Sequence, residues 1–136
     1  MKTLWNYNKI FLSIFFFALF FSNANRAEVL NANTGEDEYM LAAEKMPTPV
    51  GGFESIMRKI SYPDMAQKTK TEGKVYVLIY VNEKGDVDDV KVVKGIGFGC
   101  DEEAVKAIKK TKFTPGVDKG VSVKAKFSLA LTFKLS

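Results

Sequence analysis

The chain has 136 residues, enough for one modest domain, and its 20 basic and 16 acidic side chains leave a net charge of +4. Histidine is absent and Cys100 is the only cysteine, so the commonest general base, the commonest zinc ligand and any cysteine–histidine pair are missing. The lysines are scattered rather than gathered into a basic stripe with aromatic residues, which argues against nucleic-acid binding. We therefore predict that the chain is not an enzyme and has no metal, no cofactor and no nucleic-acid partner.

Residues 1–24 have the three parts of an export signal. Two lysines give a positive start, residues 10–21 form an apolar run, and small residues lead up to a cleavage point after Ala24. The run is about 12 residues long, whereas a helix that spans a bilayer needs about 20. We expect a cleaved signal peptide and a periplasmic protein. The alternative is a short uncleaved anchor that holds the chain at the inner membrane, facing the periplasm.

The next segment, residues 25–45, carries few bulky apolar side chains and many asparagine, aspartate and glutamate residues. Such a segment cannot bury enough surface to offset the entropy lost on ordering, so we predict a flexible leader. Prolines and glycines over residues 47–52 then mark the start of a folded domain, which we place at residues 46–136.

The domain is predicted to begin with an interrupted helix. Apolar residues at three- and four-residue spacing share one helical face. They are Phe53, Ile56, Met57 and Ile60. Pro63 must end this helix because it lacks a backbone N–H, and it can open a second short helix over residues 64–70.

A β-hairpin is predicted to follow. In the first strand, residues 74–82, alternate positions share one face. These are Val75, Val77, Ile79 and Val81, with Tyr76, Leu78 and Tyr80 on the other face. A turn with Gly85 available for positive φ returns the chain as a second strand over residues 87–94. The turn explains a first acidic cluster, which comprises Asp86, Asp88 and Asp89.

A helix is predicted to begin near Asp101. Its first turn is acidic and its last turns are basic, the order that complements the helix dipole. The residues are Asp101, Glu102 and Glu103, then Lys106, Lys109 and Lys110. We expect Ala104, Val105 and Ile108 to form its buried face and Cys100 to be a small buried hydrophobe near its start.

The final stretch, residues 121–135, has an apolar side chain at every odd position, which predicts one long strand. At about 3.4 Å per residue this strand would extend for about 50 Å, so part of it must bend or project beyond its partners. Unpaired backbone is a template for another chain, and lysines such as Lys124 and Lys126 typically guard such an edge. The pattern therefore allows two interpretations, a lysine-guarded sheet strand or an edge that docks a peptide.

From Met46 to Leu135 the chain resembles the C-terminal domain of TonB, the periplasmic energy transducer of Gram-negative bacteria. The motifs that carry the resemblance include Met46-Pro47, Gly51-Gly52, Tyr62-Pro63, Gly73-Lys74-Val75, Gly85-Asp86-Val87, Phe113-Thr114-Pro115-Gly116 and Leu131-Thr132-Phe133-Lys134-Leu135. The Gly51-Gly52 version is similar to that of members from Bacteroidetes-type bacteria. Together these motifs and their order indicate the family, although each one alone is unspecific.

The resemblance implies an α+β fold: a small three-stranded antiparallel sheet with helices packed on one face, in the order α-β-β-α-β. It implies that the domain captures the TonB box of a TonB-dependent outer-membrane transporter, or a segment of another envelope protein, by strand addition. By resemblance the partner-binding strip comprises Val121, Ser122, Val123, Lys124, Ala125, Lys126 and Phe127. This sequence lacks a convincing transmembrane helix, the proline-rich spacer and the histidine of a full transducer. The matching part therefore implies partner binding in TonB-dependent transport, and delivery of proton-motive energy would require the short uncleaved anchor.

The alternative function is structural. A small envelope adaptor could form a homodimer through its final strands, without a transporter ligand and without energy transduction. Its size in solution and its response to TonB-box peptides would separate this adaptor from a binding domain.

Overall fold

The structure, a computed structural model, describes Gly35 and residues 38–136, and this part of the chain contains short helices and strands. The elements are β1 (Thr48–Pro49), α1 (Phe53–Met57), α2 (Asp64–Lys68), β2 (Gly73–Val81), β3 (Val87–Lys94), α3 (Cys100–Lys109), β4 (Phe113–Thr114), β5 (Gly116–Asp118), β6 (Val121–Val123) and β7 (Ala125–Phe133). Our expectations for residues 1–24, and for the leader before residue 38 apart from Gly35, lie outside the described residues.

A three-stranded antiparallel sheet, in the order β3-β2-β7, organises the domain. The central strand β2 pairs with β7 from Gly73 opposite Phe133 to Val81 opposite Ala125. The four alternate residues predicted to share one face of β2 are fully buried against the helices. The predicted α+β fold, with helices packed on one face of a three-stranded antiparallel sheet, is therefore confirmed.

The core lies between this sheet and the helices. Helix α3 begins one residue earlier than predicted, and its buried residues are Cys100, Ala104, Ala107 and Ile108. Val105 is only partly buried at the margin of the core. The prediction of Cys100 as a buried small hydrophobe is confirmed, and burial, followed by the carboxylates of Asp101 and Glu102, raises the pKa of its thiol.

Both acidic clusters have structural partners. The Asp101 carboxylate accepts hydrogen bonds from the backbone N–H groups of Ile96 (2.9 Å) and Gly97 (3.2 Å), which closes the loop before α3. At the hairpin, Asp86 forms an ion pair with Lys112. These contacts support the prediction that the carboxylates have structural roles, at the hairpin and at the start of a helix.

The prediction of one continuous strand over residues 121–135 is wrong. The strand is interrupted at Lys124, which lies between the end of β6 and the start of β7. Because β2 ends opposite Ala125, the sheet offers no partner beyond that point, and β6 pairs with β5 instead. A two-residue turn with positive φ at Lys119 (50°) and Gly120 (77°) closes this small hairpin. The interruption at Lys124 is thus the bend that we gave as one outcome of the length of residues 121–135.

Residues 38–45, which we expected to belong to the flexible leader, are hydrogen-bonded to the domain. Met40 forms a parallel bridge with Ala125, and Lys45 forms an antiparallel bridge with Val117. Lys45 and Val117 exchange two backbone hydrogen bonds of 2.9 Å each. The backbone hydrogen bonds that hold this segment at Met40 and Lys45 have no signature in the apolar pattern of the sequence, which is why the sequence did not reveal the attachment.

Candidate protein-binding edge

Strand β7 lies at one edge of the sheet, so one side of its backbone faces β2 and the other side faces away. The Lys126 N–H donates to the Met40 carbonyl, and the Lys124 carbonyl accepts from the Met40 N–H, both at 2.9 Å. Because these directions alternate along a strand, even-numbered residues of β7 direct their N–H and C=O groups outward. Within residues 38–136, no backbone pairs with the outward groups beyond Lys126. These groups belong to Ser128, Ala130 and Thr132.

The side chains at this open part of the edge are small and uncharged. Ser128, Ala130 and Thr132 are all exposed on the sheet face opposite the helices. No lysine lies between Lys126 and Lys134, which directly follows β7, so the usual electrostatic guard against an added strand stands at the two ends of this stretch and not along it. The remaining backbone is accessible to a partner strand. We call residues 128–132 the open edge.

An apolar groove runs beside the open edge on the helix side of the sheet. It has a volume of about 390 Å³ and is lined by Phe53, Met57, Leu129, Ala130, Leu131 and Thr132. The two α1 residues are well exposed, Phe53 at 54% and Met57 at 40%. Alternate side chains of an added strand would point into this groove, where they could bury apolar surface.

The other end of the β7 edge is charged and occupied. The Lys124 ammonium lies 2.8 Å from the Glu38 carboxylate, and this hydrogen bond raises the pKa of Lys124. The same ammonium lies 5.6 Å from the centre of the Tyr39 ring, while Lys126 lies 5.8 Å from the centre of the Tyr80 ring. Residues 38–40 thus cover the edge at Lys124 and Lys126, through backbone and side-chain contacts together.

The opposite edge of the sheet, formed by β3, differs in charge and regularity. Asp88, Asp89, Lys91 and Lys94 are exposed along it, and two register shifts interrupt its pairing with β2. A groove of about 440 Å³ lies between β3 and α3 over Val92 and Val105, with charged residues around it. Charges and bulges are the features that protect an edge from added strands, so β3 is the better protected edge.

The predicted partner-binding strip is divided among these features. Val121, Ser122 and Val123 form β6 in the separate hairpin, and Lys124 lies in the break. Ala125, Lys126 and Phe127 begin β7, where the Phe127 ring packs 5.9 Å from the Phe113 ring. The strip therefore overlaps only the covered end of β7, and the open edge lies just beyond it.

Sequence reasoning missed the open edge and two residues of its groove. The signal for the open edge was present, because the alternation continues to Phe133 with small residues at the even positions. Phe53 and Met57 were predicted on the buried face of a helix ending before Pro63, but α1 has only five residues and buries Ile56 alone among its apolar side chains. A helix this short covers one core position and leaves its flanks exposed.

The described residues contain no group of three or more histidine, cysteine or carboxylate side chains placed to hold a metal ion. None of the helices within residues 38–136 is long and apolar enough to cross a membrane.

Solved structures of TonB C-terminal domains are similar to this chain. The domain from Pseudomonas aeruginosa is 32% identical, with a TM-score of 0.48 over 56% of this chain and 78% of that chain. Two structures from Helicobacter pylori have TM-scores of 0.43 and 0.44 at 33% and 32% identity. They cover 57% and 61% of this chain, and 85% and 78% of their own chains. Among curated proteins, none matches.

The family described as "Gram-negative bacterial TonB protein C-terminal" matches residues 58–135, more than half of the chain. Domains of this family act in binding and energy transduction and are not enzymes, which confirms the prediction that this chain is not an enzyme. The family is associated with the bacterial envelope. Because the family match covers residues 58–135, the chain belongs to the TonB C-terminal domain family.

Proposed function

We propose that this chain is a periplasmic binding domain that takes up the TonB box of an outer-membrane transporter, or a similar segment of another envelope protein, as an added strand on β7. The observation that carries the proposal is the open edge, a run of outward backbone groups with small uncharged side chains. The groove beside it supports the proposal, because it offers apolar surface to alternate side chains of the incoming segment.

The backbone of the open edge can pair with an extended peptide of any sequence, whereas the groove restricts which side chains the peptide can carry. Backbone hydrogen bonds contribute about 0.5–1.5 kcal/mol each, so several together support a moderate affinity. Apolar residues at alternate positions of the peptide would contact Phe53 and Met57, which adds selectivity. Family membership supports a role in envelope transport, and the open edge supplies a physical route to partner capture.

A pair of proline substitutions tests the proposal. The Ala130 N–H points outward and the Leu129 N–H points toward β2, by the alternation along the strand. Ala130→Pro should therefore leave the domain folded but weaken binding of a synthetic TonB-box peptide by at least about tenfold, because proline removes one donor and disturbs the neighbouring pairing. Leu129→Pro should unfold the domain, because it breaks the β2–β7 ladder.

Ala130→Ser is the matched control, since it keeps the N–H at an exposed position and should bind like the unmodified chain. Folding is checked by circular dichroism and affinity by fluorescence anisotropy of a labelled peptide. A folded Ala130→Pro variant with unchanged affinity would contradict docking on β7. A stable dimer in sedimentation that ignores the peptide would instead support the structural adaptor.

A further inference from the structure

Residues 38–40 already occupy part of the β7 edge, through an isolated β-bridge at Met40. Met40 pairs in parallel with Ala125, and its N–H and C=O bind the Lys124 carbonyl and the Lys126 N–H at 2.9 Å each. These two bonds use the outward backbone groups next to the open edge. An external strand that extended past Ser128 toward Lys124 would need the same groups, because each position of an edge pairs with one neighbouring strand on that side.

Side chains anchor this short segment across the whole sheet. The Tyr39 hydroxyl donates to the Asp88 carboxylate on β3 at 2.6 Å, and the Tyr39 ring packs edge-on against the Tyr80 ring of β2 with centroids 5.0 Å apart. Glu38 pairs with Lys124 at 2.8 Å. Tyr39 is thus the central anchor, since it joins the segment to both β2 and β3.

The attachment is also small enough to be exchanged. It consists of one backbone bridge and the contacts of two side chains, and the chain leaves the edge immediately after Met40, where Leu41 is 71% exposed. A longer strand that pairs along the whole of β7 would make more backbone bonds than the segment does. Replacement of the segment by such a strand would therefore be favourable once the partner is bound at the open edge.

We infer that residues 38–40 are an intramolecular competitor that covers the Lys124–Lys126 end of the docking edge and must be displaced for full engagement of a partner strand. The inference rests on the proposed function of β7 and adds that residues 38–40 regulate access to this edge. The strength with which residues 38–40 compete depends on the Tyr39–Asp88 hydrogen bond and the Tyr39–Tyr80 contact. Any change that releases Tyr39 raises the population of the competent edge and, with it, the apparent affinity for the partner.

Substitutions at Tyr39 in the full chain test this inference. Tyr39→Ala removes both anchors and should tighten binding of the synthetic TonB-box peptide about tenfold, whereas Tyr39→Phe keeps the ring and should have a smaller effect in the same direction. Leu41→Ala changes an exposed side chain next to the segment and should leave affinity unchanged. In the free protein, hydrogen exchange of the Lys126 amide should speed up in Tyr39→Ala and stay slow in Leu41→Ala.

The outcomes separate this inference from the proposed function. Faster Lys126 exchange together with tighter peptide binding in Tyr39→Ala supports the competitor. Faster exchange with unchanged affinity overturns it and leaves docking on β7 intact. Unchanged exchange in Tyr39→Ala overturns the anchoring role of Tyr39. A peptide that binds none of the variants refutes the proposed function, and the competitor falls with it.

Discussion

Gly85 shows how a single residue connects the β2–β3 hairpin to the segment after α3. Its φ is +83°, its carbonyl accepts from the Phe113 N–H at 2.9 Å, and an added Cβ would lie 1.9 Å from the Phe113 carbonyl oxygen. Gly85→Ala should therefore lower the free energy of unfolding by more than about 3 kcal/mol, because backbone must move in two elements.

Gly120 provides the matched control for this prediction. It has a similar φ of +77° but no atom within 4 Å of an added Cβ. Gly120→Ala should cost only the conformational penalty of about 1–2 kcal/mol. Urea melts of both variants check the comparison, and equal losses would show that the contact between Gly85 and Phe113 does not constrain the fold.

Tyr39 should make the stability of the domain depend on pH in the alkaline range. Burial first, then the hydrogen bond and charge of Asp88, raise the pKa of its phenol well above the usual value. The unfolded phenol ionises at about pH 10, so Tyr39 contributes stability that is complete below that pH and is lost as pH rises through the higher folded pKa. In a spectroscopic titration, Tyr39→Phe should lack one late-ionising phenol. An unchanged late phase in that variant would contradict the contact with Asp88.

At the scale of elements, helix α3 divides sharply between core and solvent. Ile108 is fully buried and the adjacent Lys109 is exposed. Ile108→Ala should cost about 2–5 kcal/mol as a core truncation, whereas Lys109→Ala should cost less than about 0.5 kcal/mol. Denaturant melts check both values, and similar losses at the two positions would mean that the helix packs through another face.

The regular elements could be predicted because their periodicity is local. Alternation identified β2 to within one residue, the turn at Gly85 identified β3 at its observed residues, and the order of charges identified α3 to within one residue at its start. The break at Lys124 could not be read in the same way, because Val123 and Ala125 keep the alternation across it. Its position depends on where β2 ends, which is a property of the distant partner strand.

The candidate site was predicted less well than the fold for the same reason. Resemblance and alternation placed the docking strip on the final strand, and β7 is indeed an edge strand of the sheet. Of the predicted strip, residues 125–127 lie on β7, where residues 38–40 already cover the edge. The contacts that hold residues 38–40 there reach Asp88 and Tyr80, which are far along the chain. Contacts of this kind, made by one backbone bridge and a few single side chains, produce no periodic pattern of apolar residues in the sequence.

At the scale of the whole domain, the two edges of the sheet have different protection. The β3 edge carries exposed charges and irregular pairing, whereas the open edge of β7 is regular, small and uncharged beside an apolar groove. A partner strand on β7 would extend the sheet from three to four strands and cover exposed Phe53 and Met57. If a partner docks by strand addition, this difference favours β7 over β3, so the docking proposal can be tested amide by amide.

Hydrogen exchange of the isotope-labelled full chain, with and without the synthetic TonB-box peptide, tests this claim most directly. Docking on β7 predicts new protection at the outward amides of Ser128, Ala130 and Thr132, while the inward amides of Leu129 and Leu131 are protected in both states by pairing with β2. New protection along β3 instead, or binding that leaves the three outward amides in fast exchange, would contradict it.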